Sequence, residues 1–257
     1  MKFYKYVTME VAKIIISDGT LKFTSPINFN DPFDFHPAVL KEGLTKFTNR
    51  LNHELGNGIR KYKNNHRESS KNLQVLRRAE FRAIYTREMS ISCFSASPYI
   101  LPMWAHYADN HKGCVIEFEF NSVDYVTTHI DSLINNPSYN ILVPFAVNYS
   151  NSRPPLYDVQ GRTDTDTTGF FASLTKSDEW AYEKEWRVII KKPEGIYPFD
   201  RSQMTGIFFG MNVNKVDKRE LSRKIDSSNN YTDTKIRKHD VVMAYDKFEL
   251  SNIPFRL

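Results

Sequence analysis

Two glutamates and an arginine occupy alternating positions in one short stretch of the chain. The stretch 180–187 reads WAYEKEWR and contains Glu183, Glu185 and Arg187. If a strand begins by Glu183, alternation places all three side chains on one face. Such a set is either an ion-pair ladder on a solvated face or a carboxylate pair for acid–base or cation-stabilising chemistry, kept ionised by Arg187. Glu185 and Glu183 are therefore candidate catalytic residues, and Arg187 is a candidate binding residue.

A second polar cluster, FNDPFD, follows a short segment in which apolar and polar residues alternate. Asn30 and Asp31 precede a proline, which predicts a side-chain-capped turn anchored by the two phenylalanines. The turn either satisfies its own polar groups or offers Asn30 and Asp31 to a ligand. Thr24 and Ser25, which end the alternating segment, are weaker candidates for the same site.

The segment 101–111 holds a third cluster, in which Trp104, His106 and Tyr107 could contact a ligand. A proline at its start and Gly113 after its end predict a short helix. His106 and His111 could ligate a metal, but they are five residues apart and point to different faces of a helix. The sequence therefore predicts no metal site. The aromatic residues could equally be core residues or a stacking platform for a flat ring.

The fourth cluster lies at the start of the chain, where the segment YKY predicts a strand. Lys5 and Tyr6 are candidate ligand contacts, but they could equally be ordinary strand residues without a role in binding.

The elements that must position these residues alternate between strands and helices without a regular βαβ rhythm. Strands are predicted at 3–6, 21–24, 91–94, 114–120, 141–149, 185–190, 205–209, 235–237 and 241–248, helices at 9–17, 101–111, 170–180 and 216–225, and a loop at 153–169. No internal repeat is present. The pattern predicts a single α+β domain over 1–257 with a mixed or antiparallel sheet core, and a helical insertion at approximately 39–90.

Positive charge is concentrated in the predicted insertion. The segment 39–88 has twelve Lys or Arg against five Glu, whereas the whole chain has a net charge of +5. A local positive field favours nucleic acid as a partner, but solvated helices also carry many basic side chains. Nucleic acid binding through 39–90 is thus one of two open interpretations.

Several classes of protein are excluded by composition and motifs. Two cysteines among 257 residues cannot build a disulfide framework or a Cys-rich zinc module, and a reducing cytoplasm is the simplest compartment. The longest apolar runs are far shorter than the ~20 residues of a membrane span, so no membrane association is expected. The P-loop, dinucleotide-binding, zinc-protease, nucleophile-elbow and kinase signatures are absent from the sequence.

The clusters together resemble a large bacterial family catalogued as a domain of unknown function. The resemblance rests on YKY, LKFTSPINFNDPFD, SCFS, PMWAHYADNHKGCVIEF and W-x-YE-x-EWR, and it spans about residues 3 to 190.

A more distant resemblance is to the DarT-type ADP-ribosyltransferases, which open with a strand, a helix ending in glycine and a second strand. The segment YKY, the helix before Gly19 and the strand that follows are similar to that opening. Those enzymes also have a Pro-Met block near mid-chain and a catalytic Glu at the start of a late apolar strand, as Glu185 starts EWRVII. The segment EKE is similar to the E-x-E of arginine-directed ADP-ribosyltransferases. Lys5 stands where the DarT pattern has a His that contacts NAD.

The resemblance implies an enzyme that uses NAD as a substrate. The nicotinamide would stack on Tyr6 or Trp104, Glu185 would stabilise the ribosyl cation, and Glu183 would orient the acceptor. The residues expected to contact NAD are Lys5, Tyr6, Thr24, Ser25, Asn30, Asp31, Trp104, His106, Tyr107 and Arg187.

We therefore expect an ADP-ribosyltransferase-like toxin or anti-phage defence effector that modifies a nucleic acid or a protein, with a possible antitoxin or defence-system partner. Two alternatives stay open. One is a metal-dependent nuclease or phosphoesterase that uses His106, Asp109 and the two glutamates. The other is a non-catalytic nucleic-acid-binding module of a defence system.

Overall fold

The amino-terminal strand lies inside a mixed sheet of eight strands. The structure, a computed structural model, describes residues 1–38, 40–54, 89–120, 140–158, 160–162, 165–230 and 234–256. The strand order in the sheet is β12 (Leu250–Pro254), β11 (Arg237–Met243), β10 (Met204–Phe209), β4 (Cys114–Glu119), β1 (Lys2–Val7), β3 (Ser90–Ser95), β8 (Glu185–Ile190) and β5 (Pro144–Ala146). Only β10 and β11 pair in parallel, and the other neighbours are antiparallel. The prediction of an α+β fold with a mixed sheet core is confirmed.

The strands and helices have the following bounds. The strands are β1 (Lys2–Val7), β2 (Thr20–Phe23), β3 (Ser90–Ser95), β4 (Cys114–Glu119), β5 (Pro144–Ala146), β6 (Asn148–Tyr149), β7 (Thr175–Lys176), β8 (Glu185–Ile190), β9 (Gly195–Pro198), β10 (Met204–Phe209), β11 (Arg237–Met243) and β12 (Leu250–Pro254). The α-helices are α1 (Met9–Asp18), α2 (Lys41–Glu54), α3 (Leu101–Tyr107), α4 (Thr165–Ser173) and α5 (Lys215–Asn229). Strands β2 and β9 form one small sheet, and β6 and β7 form another.

Helix α1 forms because its sequence supplies both ends and one apolar face. The Thr8 side chain accepts a hydrogen bond from the Val11 amide at the first turn. Gly19 ends the helix in the left-handed conformation, with φ of 65°, and its amide donates to the Ile15 carbonyl. The buried face of the helix contains Met9, Ala12, Ile15 and Ile16.

The two faces of the large sheet are covered differently. One face packs on α1 and α5 in a continuous core with Phe3, Phe94 and Phe118. The other face carries two smaller clusters. One surrounds Trp104 of α3, and the other includes Ala172 of α4. Residues of all three clusters contribute to the wall of a cavity on this second face.

Several predicted elements are corrected by the structure. Helix α3 ends at Tyr107, because the next residues, Asp109, Asn110 and His111, all have positive φ. The predicted loop at 153–169 contains the start of α4, and the predicted helix at 170–180 ends at Ser173 before β7. Strands β9 and β12 were missed: β9 is only four residues long, and 241–248 was predicted as one strand where β11 ends and a turn follows.

The predicted helical insertion at 39–90 falls largely outside the described residues. Helix α2 is the described part of it, together with the start of β3. The proposed nucleic-acid surface on this segment therefore stays a prediction. Among the described residues, no helix is both long and apolar enough to cross a membrane.

Candidate functional site

A cavity of about 180 Å³ lies on the second face of the sheet, where β1, β3 and β8 run side by side. Its lining consists of Tyr4, Lys5, Tyr6, Phe29, Asn30, Asp34, Cys93, Phe94, Met103, Tyr107, Lys176, Glu183, Glu185 and Arg187. Aromatic rings and charged groups thus meet in one concave site. This combination is typical of small-molecule sites.

Arg187 is the most completely bonded charge of the cavity. Its guanidinium donates to both carboxylate oxygens of Asp34, at 2.9 and 2.5 Å, and to both of Glu185, at 2.8 and 3.1 Å. The fifth donor position is taken by the Ser173 carbonyl, at 2.7 Å. A guanidinium has five N–H groups, so all of them are used. The Phe29 ring lies 5.2 Å from the guanidinium carbon. Arg187 is fully buried and is fixed in one orientation.

Lys176 joins the two candidate catalytic carboxylates. Its Nζ lies 2.6 Å from Glu183 Oε2 and 2.9 Å from Glu185 Oε2, and all three side chains are about 4% exposed. The Trp180 ring lies 4.8 Å from the same ammonium. Burial lowers the pKa of Lys176, but the two glutamates outweigh it and raise the pKa overall. Lys176 therefore stays charged and holds Glu183 and Glu185 together.

Glu185 is held in its ionised form. Burial alone would raise its pKa, but Arg187 and Lys176 outweigh this effect and lower it to about 2. The ionised side chain is nevertheless only 4% exposed. A buried carboxylate that keeps its charge can stabilise a cation close to it.

Glu183 reaches the cavity by a different route from the one predicted. Strand β8 starts at Glu185, so Glu183 does not belong to it and ends a 3₁₀ helix, Asp178–Glu183. Lys184 then adopts the left-handed conformation, with φ of 46°, which turns the chain into the strand. The expectation that alternation along one strand aligns the two glutamates is wrong. The turn and the Lys176 bridge bring them together instead.

Two tyrosines that line the cavity have hydrogen-bonded hydroxyl groups. The Tyr107 hydroxyl donates to Glu183 Oε1 at 2.8 Å, and the exposed Asn30 amide lies 3.5 Å from the same hydroxyl. The Tyr6 hydroxyl donates to the Ser97 carbonyl and accepts from the Ile100 amide. Each hydroxyl is fixed, so the rings of Tyr6 and Tyr107 are positioned as rigid walls.

Lys5 enters the site between two strands. Tyr4 of β1 lies opposite Ser95 of β3 in the sheet. One residue further on, Lys5 Nζ donates to Ser92 Oγ at 3.0 Å and to the Cys93 carbonyl at 2.9 Å. Burial lowers its pKa, partly opposed by Cys93 and Glu185. The hydrogen-bond partners of Lys5 are uncharged, whereas Lys176 and Arg187 each contact two carboxylates.

Most of the residues predicted from sequence meet in this cavity. Those that line it are Lys5, Tyr6, Asn30, Tyr107, Glu183, Glu185 and Arg187. Sequence reasoning missed Asp34 and Lys176 as site residues. Asp34 is the last residue of the FNDPFD cluster, so its position in that motif could have identified it as a site residue. Lys176 gave no such signal, because it falls within a segment predicted as a helix.

The other predicted residues lie elsewhere. Trp104 is fully buried, where its ring packs against Tyr6 and His111 and its indole N–H donates to the Pro98 carbonyl. It therefore has no free face on which a nicotinamide could stack. His106 is exposed on α3 and does not line the cavity, although its ring lies 6.2 Å from that of Tyr107.

The three remaining candidates lie near the FNDPFD turn. Asp31 is buried and accepts a hydrogen bond from the Phe33 amide, as expected for a turn that satisfies its own polar groups. Thr24 pairs with Ile91 through its backbone, and the Ser25 amide donates to Glu194. None of the three lines the cavity.

Within the described residues, no group of three or more His, Cys, Asp or Glu side chains is arranged to hold a metal ion. His106 and Asp109, which the nuclease alternative requires, do not line the cavity with the two glutamates. The structure therefore does not assemble the residue set on which that alternative was based.

Cys93 lines the cavity, but its thiol is expected to be unreactive. Burial raises the pKa of Cys93, and Glu185 adds to the effect. Because the thiolate is the reactive form, iodoacetamide at about pH 8 should alkylate Cys93 more than about 10-fold more slowly in the folded protein than in denaturant. Mass spectrometry of a Cys114→Ser variant would measure this. Equal rates in both conditions would contradict the burial of the thiol.

A family model matches part of the chain. Residues 103–188, about one third of the chain, match the model of the family described as "Protein of unknown function (DUF2971)". Over that segment the chain is thus similar to a family of unknown function, as the sequence resemblance led us to expect. The matched residues include Tyr107, Lys176, Glu183, Glu185 and Arg187 of the cavity. No curated protein and no solved structure shows a significant match.

Proposed function

We propose that this chain is an ADP-ribosyltransferase-like enzyme that transfers ADP-ribose from NAD to a macromolecule. The observation that carries the proposal is the buried, ionised Glu185 in an aromatic-lined cavity, with Glu183 joined to it through Lys176. It agrees with the sequence resemblance, which assigns the cation-stabilising role to the carboxylate at the start of β8.

The reaction needs a negative charge beside the ribose. The bond between the ribose C1′ and the nicotinamide nitrogen breaks, and its electron pair leaves with the nicotinamide. The ribose then has oxocarbenium character, which a fixed carboxylate stabilises more than it stabilises the ground state. Glu185 meets this need because Arg187 and Lys176 keep it charged without access to bulk water. The acceptor then bonds to C1′ and loses a proton, and Glu183 orients it.

The size and walls of the cavity fit one end of NAD. A volume of about 180 Å³ is smaller than that of a pocket for a whole drug-sized molecule, which is about 300–1,000 Å³. We therefore expect the nicotinamide and part of its ribose to enter, with the rest of the dinucleotide outside the mouth. Tyr6 and Tyr107 supply ring faces or edges for the nicotinamide. Trp104, which was expected to share this role, is buried in the core.

The test is release of nicotinamide from NAD labelled in that ring, with cell extract as the source of acceptor. We expect Glu185→Gln, which keeps the size of the side chain and removes the charge, to lower the rate by about 10²–10³-fold. The matched control is Asp240→Asn, which removes a carboxylate paired with Lys218 on β11, outside the cavity. A wild-type rate in Glu185→Gln would reject the assignment.

The setting that we propose is a cytoplasmic toxin or anti-phage effector, in which an antitoxin or another defence protein is a further partner. Support comes from the DarT-type resemblance and from the low cysteine content. Label transferred from NAD labelled in its adenylate moiety identifies the acceptor class. Nuclease-sensitive label would indicate a nucleic acid, and protease-sensitive label a protein.

A further inference from the structure

Lys5 differs from the other two cations of the cavity in the partners of its nitrogen. Lys176 and Arg187 each contact two carboxylates. Lys5 Nζ instead donates to a hydroxyl and to a backbone carbonyl, both of which are uncharged. Among the residues that the structure describes, Lys5 forms no ion pair. The Phe94 ring, whose centre lies 4.8 Å from the nitrogen, favours the ammonium weakly. Among the described residues, however, no carboxylate pairs with Lys5, and such a partner is what normally keeps a buried ammonium charged.

The number of acceptors around Lys5 matches a neutral amine. An ammonium has three N–H donors, whereas a neutral amine has two and a lone pair. Ser92 Oγ and the Cys93 carbonyl account for two donors. The Phe94 ring lies on one side of the nitrogen, 4.8 Å away, and Lys5 is one of the residues that line the cavity. The geometry thus suits an amine whose lone pair is available to a bound molecule.

The charge balance of the cavity favours the same state. Asp34, Glu183 and Glu185 supply three negative charges against two positive charges on Lys176 and Arg187. If Lys5 is neutral, the cluster carries one surplus negative charge. That surplus complements the positive nicotinamide ring of NAD and the ribosyl cation formed from it.

Both carboxylate oxygens of Glu183 are already hydrogen-bonded within the cavity. Tyr107 donates to one of its carboxylate oxygens and Lys176 to the other. These contacts fix the carboxylate, which suits the role of orienting the acceptor.

We propose that Lys5 is the general base of the site and takes the proton from the acceptor during transfer. This inference rests on the proposed function. The oxygen or nitrogen of the acceptor forms a bond to C1′, its proton passes to the lone pair of Lys5 Nζ, and the ammonium later releases that proton to water. The titratable or charged groups that line the cavity with Lys5 are Tyr4, Tyr6, Asp34, Cys93, Tyr107, Lys176, Glu183, Glu185 and Arg187.

The protonation of Lys5 can be measured without any activity. Lysine labelled with ¹³C at Cε and ¹⁵N at Nζ would be followed by NMR from about pH 6 to about pH 11, and the Lys5 signal assigned by its loss in Lys5→Arg. We expect Lys5 to titrate below the surface lysines and Lys176 to titrate above them. Titration of Lys5 together with the surface lysines would overturn the proposal.

The role of Lys5 in transfer is tested by the pH profile. The base must be neutral, so the wild-type rate should fall as the pH drops through the pKa of Lys5. Lys5→Arg places a permanent positive charge where the proposal has a neutral amine, and it offers no basic lone pair. We expect transfer about 10²-fold slower or more, without this pH dependence. A cation that only binds phosphate would instead be replaced well by arginine.

The two proposals can fail separately. A wild-type protein that releases no nicotinamide at any pH would reject the proposed function, and the role of Lys5 with it. Nicotinamide release and transfer that keep the wild-type rate and pH profile in Lys5→Arg would reject Lys5 as the base, while the proposed function would stand.

Discussion

Replacing Arg187 with methionine should lower the free energy of unfolding by about 3–5 kcal/mol, because it leaves two buried carboxylates without their counter-charge. Asp34 loses both of its charged hydrogen bonds, and Glu185 keeps Lys176 alone. The Ser173 carbonyl loses its donor as well. Methionine fills part of the space but supplies no hydrogen-bond donor. Urea unfolding followed by far-UV circular dichroism would measure the loss.

The chain contains a suitable control for this variant. Arg237 also lies on a strand and pairs with a buried carboxylate, Glu117, but its side chain is 59% exposed, whereas that of Arg187 is 1% exposed. Arg237→Met should therefore cost no more than about 1 kcal/mol. If the two variants lost the same free energy of unfolding, the larger contribution that we assign to the buried Arg187 ion pairs would be wrong.

Lys176→Met should destabilise the protein by a comparable amount, and its effect should depend on pH. In the wild type, the pKa of Glu185 is lowered to about 2. Its ionised form therefore adds stability above the ordinary glutamate pKa of about 4.3, and this stability is lost as the pH falls towards 2. Without Lys176, the carboxylates of Glu183 and Glu185 lose the ammonium between them and repel each other, so the penalty is greatest near neutral pH.

The measurement compares urea unfolding of the wild type and Lys176→Met at about pH 7 and about pH 4. We expect a difference of about 3–5 kcal/mol at the higher pH and a smaller one at the lower pH. Glu183→Gln added to Lys176→Met should restore part of the stability, because it removes the repulsion. A difference that does not change with pH would indicate lost packing around Trp180 instead.

Lys13 provides the matched control for Lys176. It also bridges two carboxylates, Asp217 and Glu220, at 2.8 and 2.6 Å, but at the surface between α1 and α5. Lys13→Met should change stability by about 1 kcal/mol or less, because solvent screens exposed charges. The distances from nitrogen to oxygen are thus similar for Lys13 and Lys176. The expected losses of unfolding free energy differ because Lys176 is buried and Lys13 is nearer to solvent.

The sequence was sufficient to identify residues whose chemistry depends on local patterns. The strand starting at Glu185 followed from the apolar run EWRVII, and the strand containing Lys5 and Tyr6 followed from its short aromatic segment. The prediction that Asn30 belongs with Glu185 came from the resemblance, since nothing in local spacing brings the two together.

The sequence did not reveal features that depend on long-range contacts. Asp34 and Arg187 are 153 residues apart, and no pattern in either segment indicates that they pair. Lys176 is seven residues from Glu183. It ends a two-residue strand and Glu183 ends a 3₁₀ helix, whereas the sequence predicted a helix over 170–180 and a strand from Glu183. Trp104 was misplaced for a related reason. Its helical position was predicted correctly, but periodicity alone does not say which side of a short helix faces a cavity and which faces the core.

The residues that line the cavity come from two separate parts of the chain, 4–34 and 93–187. This arrangement limits how the protein can be shortened. Residues 103–188 supply Glu183, Glu185 and the two cations paired with them, but Lys5, Asn30 and Asp34 come from the first 38 residues. Strand β1 also separates β3 from β4 within the sheet. A truncated fragment that retained only the family-matching segment would therefore lose a central strand and Asp34, one of the two carboxylates that pair with Arg187. The smallest working unit of this protein must include its amino-terminal strand–helix–strand.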